Sequence, residues 1–305
     1  MGDAPLRELG PDDVLVEIAA TGLNSADVRI LRGDPLLIRL AFGIRRPRTP
    51  IPGRDIAGTV LAVGSAVTWL RVGDRVVGEI SGGGLAERVV APAPRLVVVP
   101  AGVSFVTAAA LPLAGGTAWQ ALDLAGVAAG DRVLVVGAGG GVGSFTVRLA
   151  VLRGARVDAW CGTRARDLVR EWGAETVVDY RTADPETVEG GYDAVIDVGG
   201  TVPLRALQRL VRDGGLVVGV SGGVNRVFGP LGRMVRGAVL SIGSRRRLRF
   251  LAATPKAPIT TELLALAARG DLVPYIERTW PLVEADAAVA HVDAGHTVGK
   301  VVVVR

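Results

Sequence analysis

Two groups of residues in this 305-residue chain are of a type and spacing that could do chemistry. The first is the run Gly137-Ala-Gly-Gly-Gly-Val-Gly143, which follows the unbroken apolar stretch Val133-Leu-Val-Val136 and opens a segment of helical apolar spacing to about 150. A turn so poor in side chains lets the backbone approach a pyrophosphate. The unpaired amides and positive dipole at the start of the following helix favour negative charge there, so the ligand to expect is a dinucleotide. The second group is Thr163, Arg164 and Arg166, just beyond the next predicted strand, 156–160. In a fold specific for NAD an acidic residue stands at this tip and accepts bonds from the ribose hydroxyls. Here the tip offers a hydroxyl and two guanidiniums, whose planar fork matches a phosphate. Positive charge at a helix start also opposes the helix dipole, and a bound 2′-phosphate would explain it. NADPH is therefore the expected dinucleotide; Asp158 lies before the turn.

Other chemistries find less support. The single cysteine, Cys161, excludes an internal disulfide and a cysteine-rich structural zinc site. The two histidines, His291 and His296, fall near the end of the chain and read as surface residues, so no metal is expected. Net charge +5 and a pI near 10.1 would permit nucleic-acid binding through Arg45-Arg46-Pro-Arg48 or the arginines of 245–249. No aromatic stacking platform accompanies them, and they read as solvated faces, with neither nucleic acid nor membrane as partner. No apolar stretch reaches membrane-spanning length and no apolar leader is visible, which suggests a cytoplasmic protein.

These groups need a scaffold. Short β-rich segments at 14–20, 60–63, 75–78, 86–91 and 96–99, separated by glycine turns, predict an all-β unit. From 107 to 125 the texture becomes rich in Ala and Leu and helical. Strand and helix patterns then alternate, with strands at 133–137, 156–160, 176–179, 194–197, 216–220 and 238–242. Such alternation specifies a doubly wound parallel sheet. A helix at 258–268, a strand at 275–278, a helix at 284–292 and the run Lys300-Val-Val-Val-Val304 return to the first unit. The expected division is 1–114, 115–251 and 252–305. The segment 34–50 is too apolar for an ordinary surface loop, and either rims a pocket or meets a partner, or packs as a short core helix.

The ordered motifs resemble the medium-chain dehydrogenase/reductase superfamily, in its zinc-free quinone oxidoreductase branch. They are Gly22-Leu-Asn-Ser-Ala-Asp27, Ile51-Pro-Gly-Arg-Asp-Ile-Ala-Gly58, Val72-Gly-Asp-Arg-Val76, Ala110-Leu-Pro-Leu-Ala-Gly-Gly-Thr-Ala-Trp119, the glycine turn, Val178-Asp-Tyr180, Tyr192-Asp-Ala-Val-Ile-Asp-Val-Gly-Gly200 and Gly299-Lys-Val-Val302. The texture is similar to that of mitochondrial reticulon-interacting oxidoreductases and their bacterial relatives. The resemblance implies an α/β fold, a GroES-like β domain plus a Rossmann domain, with the nicotinamide in the cleft between them. It implies that Ala138, Gly140, Gly141, Val142 and Gly143 face the pyrophosphate, and that Gly162, Thr163, Arg164, Arg166 and Tyr180 surround the 2′-phosphate. Asp197, Val198 and Gly199, with Val220, Ser221 and Gly222, would lie by the nicotinamide half, and Asn24 and Thr117 beside its ribose.

Zinc-dependent members of the superfamily carry a cysteine where Asn24 stands and a histidine where Arg54 stands, so both catalytic-metal ligands are replaced. The family also opens with a strand hairpin, whereas thirteen residues precede Val14 here; this implies an open edge on the β domain or a gene start placed too late. The expected activity is transfer of hydride from NADPH to a quinone or an α,β-unsaturated carbonyl, without zinc, in a homodimer joined through the last Rossmann strand near 238–242. Asn24, Arg54 and Thr117 are the catalytic candidates; Asp27 is expected to orient backbone, and Cys161 to be a packed residue. Alternatives are an alcohol or aldehyde reductase, and a catalytically silent NADPH-binding sensor or nucleic-acid-binding protein.

Overall fold

A computed structural model describes residues 2, 4–45, 47–182, 188–220 and 227–305. The chain divides into two compact units. The first comprises Met1–Gly33, Ile38–Gly116 and Pro255–Arg305, the second Asp34–Leu37 and Thr117–Thr254. In chain order the elements of the first part are β1 (Asp13–Leu23), α1 (Ser25–Arg32), α2 (Ile38–Phe42), β2 (Asp55–Val63), β3 (Arg75–Glu79), β4 (Arg88–Pro92), β5 (Leu96–Val98), α3 (Phe105–Ala109) and α4 (Pro112–Ala125). There follow β6 (Arg132–Val136), α5 (Gly141–Leu152), β7 (Arg156–Cys161), α6 (Arg166–Glu171), β8 (Thr176–Asp179), β9 (Tyr192–Asp197), α7 (Leu204–Leu210), β10 (Val211–Gly219), α8 (Leu231–Ser241) and β11 (Arg247–Phe250). The chain ends with α9 (Ala257–Ala268), β12 (Ile276–Pro281), α10 (Ala285–Asp293) and β13 (Lys300–Val304). Among the described residues no helix is long and apolar enough to cross a membrane.

The first unit is the GroES-like β domain. Its strands run β12-β13-β1-β2-β3-β5, with β4 also pairing β1. Strand β1 shows why: Val14, Val16, Ile18 and Ala20 are buried while Asp13, Leu15 and Glu17 between them are less so, the alternation of a sheet with one covered face. The inward residues meet Ile56, Val60, Val76 and Leu96 in one core. At the end of β1 the chain turns into α1, and Asp27 in the helix's first turn accepts the Asn24 backbone N–H (2.9 Å). The helix stops at Gly33, whose φ of 61° suits a residue without Cβ.

The second unit is a Rossmann-like sheet in the order β11-β10-β9-β6-β7-β8, parallel throughout. Strand β6 sits at its middle, with Val133, Leu134 and Val135 fully buried, which is why its sequence carries no polar residue there. The order reverses at β6: the chain runs from β6 out through β7 and β8, then returns to β9 on the other side. The connections that leave the carboxyl ends of β6 and β9 therefore run in opposite directions along the sheet, which marks the switch point where ligands of such sheets bind.

The expected strand at 238–242 is corrected: these residues lie on α8 and at its end. Leu231, Val235 and Val239, and Met234, Ala238 and Ile242, repeat every four residues, a helical period that a short apolar window cannot reveal. The last strand is instead β11, disguised by exposed Arg247 and Arg249 flanking buried Leu248. In the segment 34–50 the short helix α2 buries no residue, so the core-packing alternative fails. Leu40 and Ile44 are 67% and 69% exposed, while Pro47, Thr49 and Pro50 line a small pocket.

Candidate functional site

In the second unit the glycine turn is built as a cradle. Gly137 and Ala138 donate their amides to the Trp160 carbonyl (2.9 and 3.0 Å), which pins the turn to β7. Val198 and Gly199 donate theirs to Val136 (2.9 and 3.2 Å), so the loop after β9 is tied to the end of β6. Gly143 can only be glycine: a Cβ would stand 2.1 Å from the Gly137 carbonyl oxygen. Gly140 differs. It caps α5 in ordinary extended backbone (φ −81°, ψ 178°), and a Cβ there would find its nearest neighbour at 3.8 Å. The space over Gly140 is open, and the first amides of α5, from Gly141 and Val142 onward, head the helix with no carboxylate in its first turn.

The turn after β7 brings the basic group together. Gly162 precedes a single 3-10 turn, Thr163–Ala165, and Arg166 begins α6. Tyr180, half exposed beyond β8, lies beside Gly162, since a Cβ on Gly162 would stand 3.6 Å from its ring. Arg181 stacks over that ring at 5.8 Å. The Thr163 hydroxyl donates to Asp179 (2.5 Å), which removes it from the free donors. That bond and the Arg181 amide hold the Asp179 carboxyl below the usual carboxylate range. The Arg166 Nε is buried without a hydrogen-bond partner. A cradle that only glycine fits, an open helix start and an unpaired buried guanidinium nitrogen in the neighbouring turn suit a phosphorylated dinucleotide. Asp158, by contrast, is committed inside the sheet to Tyr192 (2.8 Å) and Arg132 (3.3 Å). Cys161 is buried, and burial pushes its thiol up to about 11.

At the end of β9 the Asp197 carboxylate is fully buried and already engaged, by Arg233 (2.7 Å) and the Gly200 amide (2.9 Å). Its backbone carbonyl takes the Val220 amide (2.9 Å). Val198, Gly199 and Val220 thus gather at the carboxyl ends of β9 and β10. Ser221 and Gly222 lie outside the described residues. Thr117 is buried on α4, in the second unit.

In the first unit Asn24 and Arg54 belong to a network that no spacing in the sequence reveals. Asn24 is 8% exposed, Asp27 2%, Lys300 1% and Asp55 fully buried. Lys300 Nζ donates to Asn24 Oδ1 (2.5 Å) and to the Leu23 carbonyl (3.0 Å), and stands 3.7 Å from Asp55 Oδ2. Asn24 Nδ2 donates to Asp55 Oδ2 (2.9 Å) and to the Gly22 carbonyl (3.3 Å), while Asp55 Oδ1 accepts the Leu113 amide (3.1 Å). Arg54 pairs with Glu79 (2.7 Å) and donates to the Ile80 carbonyl (3.3 Å). Burial, reinforced by Asp55, pushes Asp27 up to about 6 and Glu79 up to about 7. Burial also acts to raise Asp55 and lower Lys300, each opposed most strongly by the charge of the other. Asp27 orients backbone as expected, taking the Asn24 and Gly53 amides. Asp27 and Arg54 share the wall of the small pocket with Ile30, Leu31, Ile51 and Ser81.

The histidines stand apart: His291 pairs with Glu277 (3.0 Å). Among the described residues no group of three or more His, Cys, Asp or Glu side chains is arranged to hold a metal.

Comparison with known proteins agrees with both units. Residues 10–101 match the alcohol dehydrogenase GroES-like domain, and residues 172–303 the family described as zinc-binding dehydrogenase. The chain is 35% identical to the chloroplast envelope quinone oxidoreductase homolog of Arabidopsis thaliana, over 96% of this chain and 89% of that one. It is 30% identical to the chloroplastic NADPH-dependent alkenal/one oxidoreductase of the same plant, over 97% and 73%. The solved quinone oxidoreductase of Coxiella burnetii superposes with a TM-score of 0.88 at 28% identity, covering 100% of this chain and 94% of that one.

Proposed function

Since this chain belongs to the medium-chain dehydrogenase/reductase superfamily, whose quinone oxidoreductase members are its relatives, we propose that it is a zinc-independent, NADPH-dependent reductase of quinones or α,β-unsaturated carbonyls. The observation that carries the choice of NADPH is the basic turn after β7, where Arg166 Nε is buried and unpaired. Asp179, beside this turn, is occupied by Thr163. The substrate class rests on the relatives named for quinones and for alkenals and alkenones.

When bound, NADPH would supply the hydride; the protein supplies position and electrostatics. The glycine turn and the first amides of α5 hold the pyrophosphate, and Arg164 and Arg166 with Tyr180 hold the 2′-phosphate. The Arg233–Asp197 pair fixes the loop after β9, because Arg233 also donates to the Val202 carbonyl (2.7 Å). In the first unit Arg54 is the donor assigned to an electronegative substrate atom, and it is kept in place by Glu79. Conjugated acceptors are already electrophilic, so a guanidinium in place of a metal suffices to polarise them.

NADPH oxidation measured by absorbance against a panel of quinones and enones tests the reading. Turnover of either class is expected to persist after exhaustive chelation. Binding of NADPH without turnover across the panel would refute the enzymatic reading, and reversible loss of activity on zinc removal would refute zinc independence. We also assign the protein to the cytoplasm and to a homodimer formed through the exposed face of α8 and the β11 edge, where Val235, Val239 and Ile242 are 64%, 60% and 80% exposed.

A further inference from the structure

The arginine run 245–249 takes no part in the proposed reaction, yet the second unit gives it a defined place. Among the described residues β11 is the last strand of its sheet, with β10 as its one strand neighbour. Leu248 turns into the core that holds Leu207 and Leu210. Alternation therefore puts Arg247 and Arg249 together on the opposite face, their Cβ atoms about 7 Å apart. Arg245, just before the strand, is fixed through its carbonyl, which accepts the Gly214 amide (3.0 Å). All three arginines are exposed and line one open groove of about 950 Å³ with Gly214, Gly215 and Ser244.

No Asp or Glu lines this groove. Carboxylates nearby are used on other arginines: Arg246 pairs with Asp213 (2.9 Å) and Arg212 with Asp193 (2.6 Å). Arg245, Arg247 and Arg249 make no side-chain hydrogen bond or ion pair among the described residues. Three like charges on one short stretch repel one another when no anion stands between them. A ligand anion in the groove removes that repulsion, and the planar fork of arginine grips phosphoryl oxygens in pairs.

Two features narrow the ligand. The backbone on the free side of β11 is occupied: Leu248 N–H donates to Ser241 Oγ (2.9 Å) and Arg246 N–H to Ser244 Oγ (3.1 Å), while the Arg246 carbonyl accepts Gln208 Nε2 (2.7 Å). An acidic peptide adding itself as a further strand would find those groups taken. No aromatic ring lines the groove, so the bases of a nucleic acid have nothing to stack on.

We propose that the groove beside β11 binds an oligophosphate, either an inorganic chain or the triphosphate tail of a nucleotide. The groove lies by the start of the β10–β11 pairing, where Leu216 stands opposite Arg247, whereas the glycine turn follows the carboxyl end of β6. It is a second anion site, at the other end of the same parallel sheet.

Calorimetric titration with tripolyphosphate, with NADPH saturating so that the glycine turn is occupied, reads the site directly. In the variant Arg245→Ser, Arg247→Ser, Arg249→Ser the Kd is expected to rise about 100-fold or more, the loss of two charge-assisted hydrogen bonds. The control variant Arg45→Ser, Arg48→Ser, Arg88→Ser removes the same charge from exposed positions elsewhere, and is expected to change Kd less than about threefold. No binding of tripolyphosphate, equal weakening in both variants, or unchanged binding in the first overturns the proposal. The comparison of variants holds whether or not NADPH binds. ATP is expected to bind within about threefold of tripolyphosphate, since nothing in the groove reads a base; a preference above about tenfold would assign the site to nucleotides. Tighter binding of oligothymidylate, or of an aspartate-rich peptide, would overturn the choice of ligand.

A second arm rests on the homodimer proposed above. A copy meeting the β11 edge brings three more arginines beside the first three, so tripolyphosphate is expected to lower the dimer dissociation constant about tenfold in sedimentation, and the first variant to lose that response. Binding without any change in association would move the subunit contact away from β11 and leave the oligophosphate site standing.

Discussion

Replacing Gly140 by alanine separates folding from binding at the glycine turn. The backbone there is one that any residue adopts (φ −81°, ψ 178°), and the new methyl would have its nearest neighbour at 3.8 Å. Restricting the unfolded chain favours alanine by about 0.4–1 kcal/mol, and the preference of N-cap positions for glycine over alanine takes back a similar amount. Stability should therefore stay within about 1 kcal/mol of the original. In the proposed binding mode the methyl nevertheless projects into the space through which the pyrophosphate would approach, and displacing it by about 1 Å would forfeit one or two hydrogen bonds to a charged group, each worth about 1.5–3 kcal/mol. A loss of about 3 kcal/mol corresponds to a Kd raised about 150-fold. Gly143→Ala is the contrast, because its Cβ would lie 2.1 Å from the Gly137 oxygen and 2.7 Å from the Ala138 Cα. Both stability and binding should fall, the former by about 3 kcal/mol for an overpacked backbone contact. Denaturant unfolding paired with NADPH titration by fluorescence distinguishes the two. If Gly140→Ala bound NADPH as tightly as the unmodified protein, the pyrophosphate would not pass over this turn.

Other outcomes follow from the same structure. Replacing both Arg164 and Arg166 by alanine should reduce the preference for NADPH over NADH by about 100-fold or more, since the 2′-phosphate would be without two charge-assisted hydrogen bonds; unchanged selectivity in steady-state kinetics would place the phosphate elsewhere. Asp27 and Glu79, raised by burial to about 6 and about 7, bind protons more tightly folded than unfolded, so stability should decline as pH rises from about 4 to about 7 and level off above. Asp27→Asn should flatten that decline in urea titrations, by up to about 3 kcal/mol; a profile as steep in the variant would show that Asp27 is not its source. Ile242→Glu, at a position 80% exposed, should yield monomers in light scattering if α8 forms the dimer face; an unaltered mass would move the interface.

What can be read from the sequence depends on whether a feature is local. The glycine turn is legible because its composition is what its close backbone contacts demand, and the bare tip after β7 because a carboxylate is missing from one position. Strand β6 announces itself by an apolar run, which burial on both faces demands. By contrast α8 passes for a strand since a five-residue apolar window has no period to measure, and β11 is hidden since its arginines conceal an edge. The network around Lys300 escapes for a different reason. Lys300 sits in a run of valines and Asp55 in an apolar strand, and a charge in such a place calls for a buried partner. Lys300 and Asn24 are 276 residues apart in the chain, so spacing cannot supply the pairing.

That separation bears on how the protein is made. Strand β1 has β13 as a neighbour on one side, with Thr21 opposite Val303 and Leu23 opposite Val301. A ribosome delivers residues 13–23 early and 300–304 late, and until the late ones arrive Asn24 and Asp55 have no lysine between them and residues 20–23 of β1 lack their partner strand. The second unit, whose residues 34–37 and 117–254 have all emerged by residue 254, can finish first. The domain begun first is thus completed last, and a nascent chain stalled before residue 300 should be open to proteolysis in its oldest part.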